Sequence, residues 1–234
     1  MVTRRERMRE FTKDEIKTIA RKQMSAEGTS GISLRGIARE MELTAPALYR
    51  YFPSRDDLIT DLIVDAFTAN GEALAVADAS IPRAAYGDRL VAIMTAYRDW
   101  ALANPVDFQL IYGNAIPGYH APREVTVPAA TRVSLPFATT LAEAYASGNL
   151  RPLPEHAHMP SEIENHLRLM VEENGYPVPP VVFMILVHGW TFIHGMIWLE
   201  MFGHTPPVIG SAGLFYRHQI VALCRSMNLT VTTP

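Results

Sequence analysis

The residues of this chain best suited to molecular recognition are concentrated in 31–55, GISLRGIAREMELTAPALYRYFPSR. Arg35, Arg50 and Arg55 stand there beside Tyr49 and Tyr51, with Ser33, Thr44, Ala45, Pro46 and Ala47 between them. A guanidinium can donate in parallel to O6 and N7 of guanine, and small side chains can pack on thymine methyl groups. Hydroxyls and further arginines can bond phosphate oxygens, which orients a protein on a duplex without reading its sequence. Together these residue types point to recognition of double-stranded DNA. Taken one at a time, most are equally explained as helix caps, core or solvated surface; their joint order is what points to DNA.

The charge distribution agrees. The net charge of −3 hides a basic head on an acidic body: residues 1–55 carry twelve Lys and Arg against seven Asp and Glu, whereas 56–234 carry nine against seventeen. A +5 head joined to a −8 body suits a phosphate-binding module attached to a separate domain.

Two short helices must position these residues. Ser33 is expected to cap one that turns Leu34, Ile37, Ala38 and Met41 inward. Thr44 is expected to cap the next, with Pro46 in its first turn, where a missing amide hydrogen costs little. Glu42 and Leu43 join them, and two helices so connected form a helix-turn-helix. A preceding helix is expected to begin at Thr12, because Thr12-Lys13-Asp14-Glu15 has the form of a capping box, with Phe11 and Ile16 at staple positions. Gly28 is its expected stop. Ser54-Arg55-Asp56-Asp57 opens a further helix through Phe67. Beyond Asn70, helical patterns cover about 88–104, 105–112, 129–147, 161–174, 179–203 and 211–227. Two glycines and three prolines make 113–128 read as a loop. Strand alternation is almost absent, so the fold class is all-α.

No catalytic arrangement emerges. The eight histidines are His120, His156, His158, His166, His188, His194, His204 and His218. His156 and His158 lie in a Pro-rich stretch without cysteine or carboxylate pairs at metal spacing, and His188 and His194, six apart, fall on opposite sides of a helix. Neither an enzyme nor a cofactor nor a metal is expected; an enzyme using His120 or His188 as general base is the remote alternative. The lone Cys224 permits no internal disulfide, and the charged N-terminus has no signal-peptide pattern, so a cytoplasmic location is expected. Residues 181–202 are long and apolar enough to be tested as a membrane span. His188, His194 and Glu200 within them favour a buried helix of a soluble protein instead.

Gly28, Ser33, Ile37-Ala38-Arg39-Glu40, Leu48-Tyr49-Arg50-Tyr51-Phe52 and Arg55 together resemble the tetracycline-repressor (TetR) family across residues 12–67. That resemblance implies base or phosphate contacts from Ser33, Arg35, Thr44, Ala45, Pro46, Ala47, Tyr49 and Arg50. Tyr51 replaces the family's common His, and Arg55 its usual Lys, both at phosphate-contacting positions. Glu42 stands where the family usually has Gly, because the turn favours a left-handed backbone. Further on, His188-Gly189-Trp190, His194-Gly195, Trp198-Leu199-Glu200 and Gly203-His204 resemble the WHG-type C-terminal domain of TetR-like regulators.

The resemblance implies a helix-turn-helix DNA-binding domain over 1–55, a connecting helix over 56–70 and a helical ligand-binding and dimerisation domain over 71–234. It further implies a homodimer on a palindromic operator, released as a repressor by a small apolar effector. Trp100, Phe108, Tyr112, Phe183, Trp190 and Phe192 are the expected pocket residues, each also explicable as plain core. A DNA-binding architectural protein without ligand control is the alternative.

Overall fold

A computed structural model describes residues 3–174 and 178–232; Met1, Val2, residues 175–177, Thr233 and Pro234 lie outside the described residues, the four terminal ones at the outer ends of the expected domains. Twelve α-helices and no strands occur among the described residues. They are α1 (Arg4–Glu27), α2 (Leu34–Glu40), α3 (Ala45–Tyr49), α4 (Arg55–Ala79), α5 (Tyr86–Ala103), α6 (Pro105–Tyr112), α7 (Arg123–Ala146), α8 (Pro154–Ala157), α9 (Ser161–Asn174), α10 (Pro180–Met201), α11 (Pro206–Ile209) and α12 (Ala212–Ser226).

Helix α1 starts eight residues before the expected Thr12. The sequence holds two Thr-x-x-Glu boxes, and the first one is used. Thr3 caps the helix: its hydroxyl accepts from the Glu6 amide at 3.2 Å, and the Glu6 carboxylate accepts from the Thr3 amide at 2.6 Å. Nothing between Thr3 and Thr12 breaks a helix, so Thr12 is interior, and its hydroxyl bonds back to the Met8 carbonyl at 3.0 Å. Phe11 is exposed and staples nothing. The stop is at Gly28, as expected, with φ +78°.

Helix α7 is the second departure, because it begins at Arg123 and not near 129. Pro128 lies in its second turn, where its ring is exposed and only one helical hydrogen bond is lost. Proline density alone therefore misplaced the end of the loop.

The chain divides into two compact units. The first comprises residues 1–69 and 104–130, and the second 70–103 and 131–234. The first therefore takes in α6 and the following loop, which the expected boundaries assigned to the larger domain. Its core is made by Ile16, Ala20 and Met24 of α1, Leu34 and Ile37 of α2, Leu48 of α3, and Leu58, Ile59 and Leu62 of α4, with Leu110 and Ile116 added from the later segment. Ion pairs tie α1 to two neighbours: Lys17 to Asp61 and Asp65 of α4 at 3.1 and 2.8 Å, and Arg21 to Asp107 of α6 at 2.9 Å.

In the second unit α5 is the central buried helix, with Leu90, Val91, Ile93, Met94 and Tyr97 inside. Helices α10 and α12 pack on it. Its Arg89, 1% exposed, donates to both oxygens of Asp78 in α4 at 2.7 and 3.0 Å and to Glu143 in α7 at 2.8 Å. Helix α10 is less enclosed than expected: Val182, Ile185, Leu186, Ile193 and Ile197 are buried, while Trp190, Leu199 and Phe202 are exposed.

Candidate nucleic-acid interface

Helices α2 and α3 pack on each other and are joined by a tight turn. Helix α2 is fixed at its start by Ser33, whose Oγ accepts from the Gly36 amide at 3.2 Å and whose own amide donates to Gln23 Oε1 of α1 at 2.9 Å. At its end, Leu43 N donates to the Ala38 carbonyl at 2.8 Å and Glu42 N to the Arg39 carbonyl at 3.2 Å, a Schellman closure. That closure requires a left-handed residue, and Glu42 has φ +55°. A side chain pays about 1 kcal/mol for this conformation relative to glycine. Glu42→Gly is therefore expected to raise stability by roughly that amount. Removing a negative charge beside DNA should also tighten binding, most at low salt. Thermal melting and operator titration at two salt concentrations check both effects; a lower Tm refutes the strain.

Thr44 occupies the N-cap of α3 yet makes no side-chain cap bond. The neighbouring residues explain this departure. An N-cap oxygen accepts from the second or third helical amide. Pro46, the second, has no N–H, and the Ala47 amide already donates to the Thr44 carbonyl at 2.9 Å. The hydroxyl is left exposed at the start of α3. Pro46, Tyr49 and Arg50 are exposed with it, Ala45 and Ala47 are half-buried, and Leu48 is fully buried beneath them. Arg35, in the first turn of α2, is exposed. Tyr51 is half-buried against the core of this unit.

Arg55 differs from the simple phosphate contact its position suggests. Its Nε donates to the Ile32 carbonyl at 3.1 Å and its Nη2 to the Ser30 carbonyl at 3.0 Å. The guanidinium thereby ties the start of α4 to the turn before α2, and only its remaining edge is available to an anion.

The comparisons with known proteins decide the family. The model for bacterial regulatory proteins of the tetR family matches residues 18–62, and that for the tetracyclin repressor-like C-terminal domain matches residues 90–223, more than half of the chain. The chain belongs to the tetR family. HTH-type transcriptional regulators Rv1816 of Mycobacterium tuberculosis and Mb1846 of Mycobacterium bovis are each 35% identical to it over 202 residues, 86% of this chain and 86% of theirs. The crystal structure of SCO4313 matches with a TM-score of 0.76 at 30% identity, covering 94% of this chain and 98% of that one. This tetR-family protein is a DNA-binding transcriptional regulator and not an enzyme.

The regulator's second unit contains a small apolar cleft of about 40 Å³. Leu90 and Met94 of α5, Phe137 of α7, Ile185 and Trp190 of α10, and Cys224 of α12 are among its walls. Of the six aromatic residues named from the sequence, only Trp190 lines it. Phe108 and Tyr112 pack together at 5.2 Å in the first unit, and Trp100, Phe183 and Phe192 are half-buried elsewhere in the second. The aliphatic walls carry no sequence signal separating them from ordinary core.

The histidines of α10 have distinct partners. His156 of α8 and His188 meet at 2.7 Å. His194 lies between Tyr97, whose hydroxyl is 3.0 Å from Nδ1, and Trp198, whose indole N–H donates to Nε2 at 2.6 Å. Because an indole can only donate, Nε2 carries no proton, and Nδ1–H donates to Tyr97 in the neutral ring. Burial lowers the His194 pKa to about 4. Between about 6.5 and 4 the unfolded chain binds a proton there that the folded one does not, so stability falls as the pH drops through that window. The melting temperature should decline from pH 7 to pH 5, and less steeply in His194→Asn; equal slopes in both proteins contradict this. Among the described residues no group of three His, Cys, Asp or Glu is placed to hold a metal.

Proposed function

We propose that this regulator is a homodimeric repressor that leaves a palindromic operator when a small apolar ligand enters its second unit. The observation that carries the reading is the cleft walled by α5, α7, α10 and α12. Its lining is almost wholly hydrocarbon and aromatic, the character of a site for an apolar small molecule. Ligand release follows if the ligand prefers a conformation whose recognition helices are wrongly spaced for successive major grooves. The match to a repressor-like C-terminal domain favours repression over activation.

Dimerisation is supported by α10. Its 22 residues are apolar enough to cross a bilayer, yet Glu200 pairs with Arg98 of α5, Nε to Oε2 at 2.7 Å, and His194 is held by Tyr97. Those polar ties hold the helix in a protein bundle. The exposed Trp190, Leu199 and Phe202, with open space over Gly189 and Gly195, suit the close approach of a second copy. A symmetric dimer reads two half-sites, which a single five-residue recognition helix needs for useful affinity. A reducing cytoplasm fits a lone, buried Cys224.

The DNA contacts we assign are Arg35 and residues 44–50 for base reading, with Ser33, Tyr51 and the free edge of Arg55 positioning the backbone. The experiment is a melting screen of the full chain against hydrophobic metabolites, because a bound ligand raises apparent stability. Operator affinity is then measured with each stabilising compound present. A weakened complex supports induction. Stabilising compounds that leave affinity unchanged eliminate ligand control and favour an architectural role.

A further inference from the structure

The first unit carries an open groove of about 440 Å³ lined by Arg5, Met8, Arg9 and Thr12 of α1 and by Arg50 and Tyr51 at the end of α3. We propose that this groove holds the sugar-phosphate backbone of DNA, with Arg5 and Arg9 extending the contact surface beyond the helix-turn-helix. The proposal rests on the family's DNA binding and adds a site to it.

Three features of the groove carry this assignment. It contains three guanidinium groups and no carboxylate. On a helix turning about 100° per residue, Arg5, Met8, Arg9 and Thr12 share one face, while Glu6 and Glu10 fall roughly 100° or more from Arg5. Glu6 is also committed to capping α1 through Thr3.

Second, the three guanidiniums are unspent. Among the described residues Lys17, Arg21, Lys22 and Arg55 of this unit each hold a protein carboxylate or carbonyl. Arg5, Arg9 and Arg50 are exposed, and none of their side chains makes an ion pair or hydrogen bond with another described residue. Three uncompensated cations facing one groove repel each other unless an anion neutralises them.

Third, the groove is continuous with the recognition surface. Arg50 and Tyr51 directly follow Tyr49, the last residue of α3. A strand whose bases are read by α3 meets Arg50 next and then the Arg5–Arg9 face. A backbone carrying a run of phosphates can meet cations on both α1 and the end of α3, which a single compact anion cannot do as well.

The test measures affinity of the full chain by fluorescence anisotropy against salt, using the operator duplex recovered by selection and a scrambled duplex of equal length. Arg5→Ala/Arg9→Ala should make the slope of log affinity against log salt shallower by about 1.8 per protomer, since each phosphate contact contributes about 0.9. The ratio of operator to scrambled affinity should not change. Arg5→Lys/Arg9→Lys should keep the original slope, because lysine retains the charge. The proposal is overturned if the alanine variant keeps the wild-type slope, or if the lysine variant loses as much slope as the alanine one. A wild-type chain that binds neither duplex overturns the DNA reading beneath it instead.

Discussion

Arg89→Met should lower the melting temperature by roughly 6–12 °C, from a stability loss of about 3 kcal/mol in a chain of this size. Methionine fills similar volume and follows the same path, so the loss isolates the charge and its hydrogen bonds. In the folded protein Arg89 forks onto Asp78, bonds Glu143, and donates to the Arg83 carbonyl at 3.1 Å. Arg83 itself also pairs with Glu143. Those bonds to Asp78 outweigh burial and hold the guanidinium's pKa above its usual value. Removing it leaves Asp78, 18% exposed, without its ion-pair partner, and Glu143, 29% exposed, with Arg83 alone. Their partial exposure keeps the loss near the low end of what broken buried pairs cost. Arg89→Lys should fall between the two, since one ammonium cannot reproduce a fork. A methionine variant that melts within 2 °C of the parent, as a rough bound, contradicts the assignment of Arg89 as the clamp between α4, α5 and α7.

Arg35→Ala should cost about 1–3 kcal/mol of discrimination per half-site, roughly a tenfold to hundredfold fall in the preference for operator over scrambled DNA. Arg35 stands in the first turn of α2, one residue from the buried Leu34 and two beyond the cap at Ser33, so its backbone is fixed while its side chain is exposed. Arg55→Ala should behave differently. Its guanidinium holds the Ser30 and Ile32 carbonyls, so its loss should lower stability as well as weaken all DNA binding, with little change in sequence preference. Competition titrations of both variants, with melting curves alongside, separate the two roles. Equal, sequence-independent losses and unchanged melting in both contradict the division.

Much of the DNA-binding unit was legible because its determinants are local. Ser33, Gly28 and the strained Glu42 each act on a backbone a few residues away, and all three stand as their positions imply. Where two local signals competed, neither box alone could choose. The boxes at Thr3 and Thr12 are alike on paper, and only the unbroken run of helix formers between them decides for the first. Thr44 shows the same limit: the cap position is right, but Pro46 removes the amide that the hydroxyl would have bonded.

The second unit was less legible because its determinants are distant in sequence. Arg89 meets Asp78 and Glu143 only once α4, α5 and α7 pack, and no spacing rule links positions 89 and 143. The cleft is walled mainly by leucine, methionine and isoleucine, which periodicity marks as core and nothing more. Aromatic content suggested Phe108 and Tyr112 for it, but α6 packs them with Phe67, 5.8 Å from Tyr112, in the first unit. The apolarity of α10 was plain, while its half-open burial depends on what covers a surface.

The most direct test is selection of bound duplexes from a random pool by the full chain, followed by the same selection with Arg35→Ala. The account predicts an inverted repeat whose half-sites lie about one helical turn, or a multiple of one, apart. It also predicts that the variant relaxes the same base position in both halves. Recovery of no enriched sequence, or of a single unrepeated site that Arg35→Ala leaves unchanged, contradicts it.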